Sequence, residues 1–170
     1  MLAFRRMRRI AGLLALAVLW SGAKSPAAES ADYLPDAAGA REVSVAESGP
    51  ASAAVEVATL GLATKELGPA PVVKKLGEQY GFLPAFFTVR KDEPTRVTFW
   101  NLQPDDDHDF MLLDSEWNVL MHERLPPAAK TSWVFTFHRA GLFRFYCALH
   151  SPLMSGQILV LENPPARRKP

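Results

Sequence analysis

One stretch near the carboxyl end of the chain reads Gly141-Leu-Phe-Arg-Phe-Tyr-Cys-Ala-Leu-His-Ser-Pro-Leu-Met-Ser-Gly156. It holds the only cysteine of the protein, Cys147, with His150 three residues later and Met154 four residues after that. A thiolate, an imidazole and a thioether are soft ligands, which suit copper or another thiophilic metal. A blue-copper site also needs a second histidine, so another part of the chain must supply that donor.

The residues that precede the cysteine alternate in character. Phe143, Phe145 and Cys147 fall on one face of a predicted strand, and Arg144 and Tyr146 fall on the other. A period of two residues is typical of a half-buried strand. Cys147 is therefore expected to point inward at the end of a strand, where its sulfur is shielded from solvent.

Similar short segments, rich in β-branched and aromatic residues, continue from about residue 71 and are separated by turn signals. Regularly spaced strands of this kind are typical of an all-β protein. We predict an antiparallel Greek-key β-sandwich. Besides the strand that ends at Cys147, the predicted strands are Val72–Leu76, Phe86–Arg90, Thr95–Trp100, His108–Leu113, Ser132–Phe137 and Gly156–Leu161.

The chain of 170 residues is expected to have four parts. Residues 1–28 read as a signal peptide, because four arginines precede the apolar run Ile10–Trp20 and small residues follow it. That run is short for a membrane span, although an uncleaved anchor is the alternative. Residues 29–69 are rich in Ala, Ser, Glu and Pro, which predicts a flexible, largely unstructured extension. The sandwich domain is assigned to residues 70–163 and a tail to 164–170.

Export changes the charge of the protein and the chemistry of its thiol. Cleavage of the signal peptide removes five of the 19 Lys and Arg residues and none of the 18 acidic ones, which leaves a net charge of about −4 and argues against nucleic-acid binding. We expect a periplasmic or secreted protein with no stable membrane insertion after cleavage. One cysteine cannot form an internal disulfide, and a free exposed thiol would oxidise. Metal ligation would explain why it is there.

Besides His150, three histidines of the chain could supply the further donor. His138 falls on the outward face of its strand and is expected at the surface. His122 precedes a Pro-Pro loop and is expected to be exposed, which makes it a poor but not an excluded candidate. His108 opens a strand after a polar loop, and Asn101 ends the preceding strand. Since strand ends and loops converge at one pole of a sandwich, His108 is expected beside Cys147.

Taken together, these residues resemble the cupredoxin family of small blue type 1 copper proteins, which includes plastocyanin, amicyanin and azurin. The resemblance rests on Asn101, on His108-Asp-Phe110 and on Gly141-x-Phe-x-Phe-Tyr-Cys-x-x-His-x-x-x-Met-x-Gly156. It covers roughly residues 71 to 162. The cofactor that it implies is one copper ion that alternates between Cu(I) and Cu(II).

The resemblance also implies a role for each motif residue. His108, Cys147 and His150 would be the equatorial copper ligands, and Met154 would be the weak axial ligand. Asn101 resembles the family asparagine whose hydrogen bonds tie the two ligand loops together near the cysteine.

The function expected from this reading is electron transport between redox partners. One electron would pass through the edge of His150, surrounded by an apolar docking patch. A redox protein, either a cytochrome or an oxidoreductase, would be the partner, and we expect the carrier itself to be monomeric. The acidic run Asp105–Asp107 is either a solvated loop or a rim that steers a basic partner. The patch residues are Leu149, Pro152 and Leu153, with Pro104 as a further candidate.

The sequence leaves two other hypotheses for the function open. A copper-handling protein, for delivery or tolerance without electron transfer, could use Met111, Met121, His122 and Met154 as additional soft donors. A β-domain without a metal is the second. A copper enzyme is not expected, because four histidines are too few for the further copper centres of multicopper oxidases, and a binuclear centre would need a second cysteine.

Overall fold

The protein is an all-β sandwich of two five-stranded sheets, as predicted. The computed structural model describes residues 32–150 and 153–165, so the predicted signal peptide lies outside the described part. Within that part, no helix is long and apolar enough to cross a bilayer. In chain order the elements are β1 (Val43–Ala46), β2 (Ala53–Ala63), α1 (Ala70–Leu76), β3 (Gln79–Leu83), β4 (Phe86–Arg90), β5 (Thr95–Asn101), β6 (His108–Leu113), β7 (Val119–Leu125), β8 (Lys130–Phe137), β9 (Gly141–Tyr146) and β10 (Ser155–Leu161).

Each sheet is mixed rather than purely antiparallel. The first sheet has the order β1-β8-β5-β2-β3, and the second has the order β4-β10-β9-β6-β7. Most neighbours run antiparallel, but β2 is parallel to β5 and β4 is parallel to β10. The parallel pairs join strands that are not consecutive in the chain, so no tight hairpin constrains their direction.

A cluster of aromatic rings fills the space between the sheets. Phe99 of β5 lies 4.6 Å from Phe110 of β6, and Phe110 lies 5.5 Å from Phe145 of β9, measured between ring centroids. All three side chains are buried, and contacts of this kind add about 0.5–1.5 kcal/mol each beyond the burial of their area. This packing holds the strands that begin at His108 and end next to Cys147.

The prediction of a flexible extension at residues 29–69 is wrong for a large part of that range. β1 and β2 both lie within it, and β2 pairs with β5 on one side and with β3 on the other. Because β2 is rich in alanine and has no aromatic residue, its own sequence favours a strand only weakly. Hydrogen bonds to neighbouring strands on both edges stabilise β2, although its own residues favour a strand only weakly. The sandwich therefore begins before residue 70.

The predicted strand Val72–Leu76 is also wrong, because Ala70–Leu76 forms the helix α1. Pro71 lies in the first turn, a position that favours proline because the missing N–H has no helical partner there. Gly77 ends the helix with φ 75°, which glycine adopts without strain. The strands β3 and β7 were not predicted from the sequence either.

Candidate metal centre

Three of the four predicted ligands lie together at one end of the sandwich. The Nδ1 atoms of His108 and His150 are 3.1 Å apart. The Sγ atom of Cys147 is 3.9 Å from the first of these nitrogens and 3.6 Å from the second. These side chains form a group of donors close enough to share one metal ion.

The separations of the three donor atoms match the bond lengths of a transition metal. A point equidistant from the three atoms lies about 2.1 Å from each of them, and metal–nitrogen and metal–sulfur bonds in zinc proteins are roughly 2.0–2.3 Å long. Two imidazoles and one thiolate in a trigonal arrangement are the equatorial donor set of a blue-copper site. The residues present therefore fit a copper ion without rearrangement of the strands.

The strand ends and one turn bring the donors together. His108 is the first residue of β6, and Cys147 directly follows β9; the two strands are neighbours in the second sheet. The chain then turns back on itself, because the N–H of His150 donates to the carbonyl of Cys147 at 3.3 Å. The N–H of Cys147 donates to the carbonyl of Met154 at 2.9 Å.

Met154 is fully buried, and this hydrogen bond places its main chain beside Cys147. A buried methionine next to three converging donors is consistent with the predicted axial ligand. Axial ligation by its sulfur stays a prediction.

Burial sets the protonation of all three donors. Desolvation, together with the neighbouring His150, lowers the pKa of His108 to about 4, and desolvation lowers the pKa of His150 as well. Both imidazoles are therefore neutral at pH 7 and have lone pairs for a metal. Burial raises the pKa of Cys147 to about 12, so the metal-free thiol stays protonated at neutral pH. A bound metal ion would provide a positive charge beside the sulfur and release the thiol proton.

Asn101 is buried, and both the nitrogen and the oxygen of its side-chain amide form hydrogen bonds. Its Nδ2 donates to the main-chain carbonyls of Asp106 and Leu125, at 2.8 and 2.9 Å. Its Oδ1 accepts bonds from the hydroxyl of Thr59 and from the N–H of Gln103, at 2.9 and 3.0 Å. Asn101 thus holds the loop that leads into His108, and among the described residues none of its four hydrogen bonds reaches the loop after Cys147. The tie between the two ligand loops that the resemblance implied for it is made elsewhere.

Asp109 makes that tie. Its N–H donates to the Sγ atom of Cys147 at 3.4 Å, and its Oδ1 accepts a bond of 2.6 Å from the N–H of Ala148. Its Oδ2 lies 3.0 Å from Nε2 of His122. The predicted exposure of His122 is wrong, because this side chain is only 2% exposed and contacts the carboxylate that bridges the loops. The sequence held a signal for this pair, since an acidic residue directly follows His108 within an otherwise apolar strand.

Tyr80 of β3 is a further part of the site that the sequence analysis missed. Its ring centroid lies 5.0 Å from that of His108 and 4.5 Å from that of His150. The phenol donates to Oδ2 of Asp106 at 2.6 Å, and burial raises the pKa of this phenol. Tyr80 therefore packs against both imidazoles and connects them to the loop before β6.

Exposed apolar residues flank His150 in the chain, and an acidic loop precedes His108. Leu149 and Leu153 are 57% and 60% exposed, and Pro104 is exposed as well. Pro152, which was also predicted in this patch, lies outside the described residues. Within the acidic loop, Asp107 forms an ion pair of 3.0 Å with Arg124, so part of that charge is compensated. His138 lies away from this site, where its Nδ1 is 2.9 Å from a carboxylate oxygen of Asp92.

Comparison with solved structures finds several similar proteins. The chain is similar to auracyanin from Roseiflexus castenholzii, with 18% identity over 66% of this chain and 99% of that chain and a TM-score of 0.49. It is similar to amicyanin from Paracoccus versutus, with 19% identity over 71% and 98% and a TM-score of 0.45. A multicopper oxidase is also similar, with 16% identity and a TM-score of 0.49, over 66% of this chain but only 45% of that chain.

These identities are low, and the similarity concerns the fold alone. No protein-family model matches the sequence, and no curated protein matches it at a significant level. The all-β sandwich predicted from the strand pattern is confirmed by the two packed sheets.

Proposed function

We propose that this protein is an exported electron carrier that cycles one copper ion between Cu(I) and Cu(II). The observation that carries the proposal is the triangle of donor atoms from His108, Cys147 and His150, with edges of 3.1 to 3.9 Å. These three residues would be the equatorial ligands, and Met154 would be the weak axial ligand. When bound, copper would supply the one-electron couple.

The contacts around the ligands suit electron transfer, which is fast when little must move as the metal changes charge. The bridge through Asp109 holds Cys147 and the loop after it. Tyr80 packs against both imidazoles, and Asn101 holds the loop before His108. The protein therefore provides most of the ligand geometry by itself.

The electron would enter and leave through the partly exposed edge of His150. Leu149 and Leu153 form an exposed apolar surface beside it, which suits a weak and short-lived encounter. The partner would be a cytochrome or an oxidoreductase. The carboxylate of Asp105, in the loop before His108, is exposed and would favour a basic partner.

Copper handling is the weaker alternative. It would need additional soft donors near the site, and His122 was a candidate. The ring of His122 instead lies against Asp109, and among the His, Cys, Asp and Glu side chains of the described residues the cluster of possible ligands consists of His108, Cys147 and His150.

An absorption spectrum after addition of Cu(II) tests the proposal. We expect an intense visible band from thiolate-to-copper charge transfer and one copper per chain. Cys147→Ser should abolish the band, whereas His138→Ala, which removes a histidine outside the cluster, should keep it. A colourless Cu(II) protein would contradict the proposal. More than one tightly bound copper per chain, or very slow electron self-exchange, would favour copper handling instead.

A further inference from the structure

An open groove on the outer face of the second sheet contains the side chain of Arg144, from β9. The groove has a volume of about 630 Å³, which lies within the usual range for small-molecule sites. Among the described residues that line it, Arg144 is the only charged one. Trp117, from the turn between β6 and β7, forms one wall, and its ring lies 4.5 Å from the guanidinium carbon.

The guanidinium of Arg144 lacks the partners that such a group normally has. Its Nη1 atom is buried and has no hydrogen-bond acceptor. Among residues 32–150 and 153–165, no carboxylate forms an ion pair with it. A buried donor without an acceptor is unfavourable, more so on a charged group, so an anion that pairs with this guanidinium from the groove would be favoured.

The other residues of the groove indicate what could carry that oxygen. Trp117 offers an exposed aromatic face, with 63% of its surface accessible. Tyr146, Ser155 and Gln157 add polar groups along the same wall. Arginine pairs with carboxylates through two parallel N–H···O bonds, and an aromatic body would stack on the indole.

We propose that this groove binds a carboxylate attached to an aromatic ring. The carboxylate pairs with Arg144, and the ring lies against Trp117. The proposal uses no residue of the candidate metal centre, and it does not depend on bound copper.

The test titrates the full-length protein with 2-naphthoate and follows the indole N–H signal of Trp117 by NMR. The neutral 2-naphthamide has nearly the same shape and serves as the matched ligand. We expect naphthoate to bind at least about ten-fold more tightly than naphthamide, because a charge-assisted pair is lost. Equal binding of the two compounds, or no shift of the Trp117 signal by naphthoate at millimolar concentration, would overturn the proposal.

Variants of two arginines in the same sheet complete the test. Arg144→Gln should weaken naphthoate binding about ten- to a hundred-fold, and Arg144→Lys should restore part of it. Arg124→Gln removes the same charge from β7, outside the groove, and should leave binding unchanged. Equal losses in Arg144→Gln and Arg124→Gln would mean that general charge, not the groove, attracts the anion. Acetyl-glycyl-phenylalanine offers the same chemistry on a peptide end, and its affinity relative to naphthoate distinguishes a peptide terminus from a free acid as the source.

Discussion

The buried pair of Asp109 and His122 should be a large single contributor to the stability of the ligand loops. Asp109→Ala would leave the imidazole of His122 and the N–H of Ala148 without their acceptor. Both side chains of the pair are at most 3% exposed, so water cannot replace the lost contacts. Breaking a buried pair by removing one partner costs about 3–5 kcal/mol.

A surface pair in the same protein provides the control. His138 and Asp92 are separated by 2.9 Å, close to the 3.0 Å of the buried pair, but their side chains are 36% and 53% exposed. Exposed pairs contribute about 0–1 kcal/mol. His138→Ala should therefore change stability little, although it removes a histidine–carboxylate contact of nearly the same length.

Urea unfolding of the metal-free protein measures both effects, because it separates the folding of the loops from metal binding. In a double-mutant cycle, Asp109→Ala combined with His122→Ala should cost less than the sum of the single variants, by about 0.5–3 kcal/mol. With copper bound, Asp109→Ala should also weaken the metal about 10–100-fold, the usual effect of losing a residue that supports a ligand. Additive costs, or a loss for Asp109→Ala no larger than that for His138→Ala, would refute this reasoning.

Three further predictions concern the site. Tyr80→Phe removes the hydrogen bond to Asp106 but keeps the ring. It should lower the free energy of unfolding, measured in urea, by about 1 kcal/mol and leave the visible band of the copper protein in place. A shift of that band as large as in Tyr80→Ala would contradict this prediction. Because burial raises the pKa of Cys147 to about 12, the folded metal-free protein should react with iodoacetamide at pH 8 far more slowly than the unfolded chain, and equal rates would contradict that pKa. The pKa of His108 is about 4 in the folded protein and about 6.5 in the unfolded chain. Between these pH values, unfolding therefore takes up a proton at His108. The contribution of His108 to the stability of the metal-free protein should be fully present above pH 6.5 and should fall by about 3 kcal/mol towards pH 4. His108→Ala should flatten that fall, and an unchanged slope would assign it to another group.

The local sequence was sufficient for much of the site. Alternation around Phe143 and Phe145 placed Cys147 inward at a strand end, and the structure agrees. The spacing of Cys147 and His150 fits one turn of chain, so both donors meet without help from distant residues. His108 required one further step, the convergence of strand ends at a pole, and that step also holds.

The supporting contacts depend mainly on tertiary structure, although the acidic residue directly after His108 is a local signal for the Asp109–His122 pair. Tyr80 reaches the imidazoles because β3 pairs with β2, and β2 was itself hidden by its alanine-rich sequence. His122 reaches Asp109 because β7 pairs with β6, and nothing near His122 in the chain indicates that pairing. These contacts join residues 13 to 70 positions apart, where the local pattern carries no information on distance.

The positions of Cys147 and His150 and the strand that presents the thiol follow from the sequence, because they depend on short-range spacing and on a period of two residues. The contacts that hold these side chains and His108 in place come from the fold: the bridge through Asp109 and His122, the ring of Tyr80 and the four hydrogen bonds of Asn101. Which strands pair in a sandwich depends on the order and the register of all strands in each sheet. Those are properties of the whole fold, and no single segment encodes them.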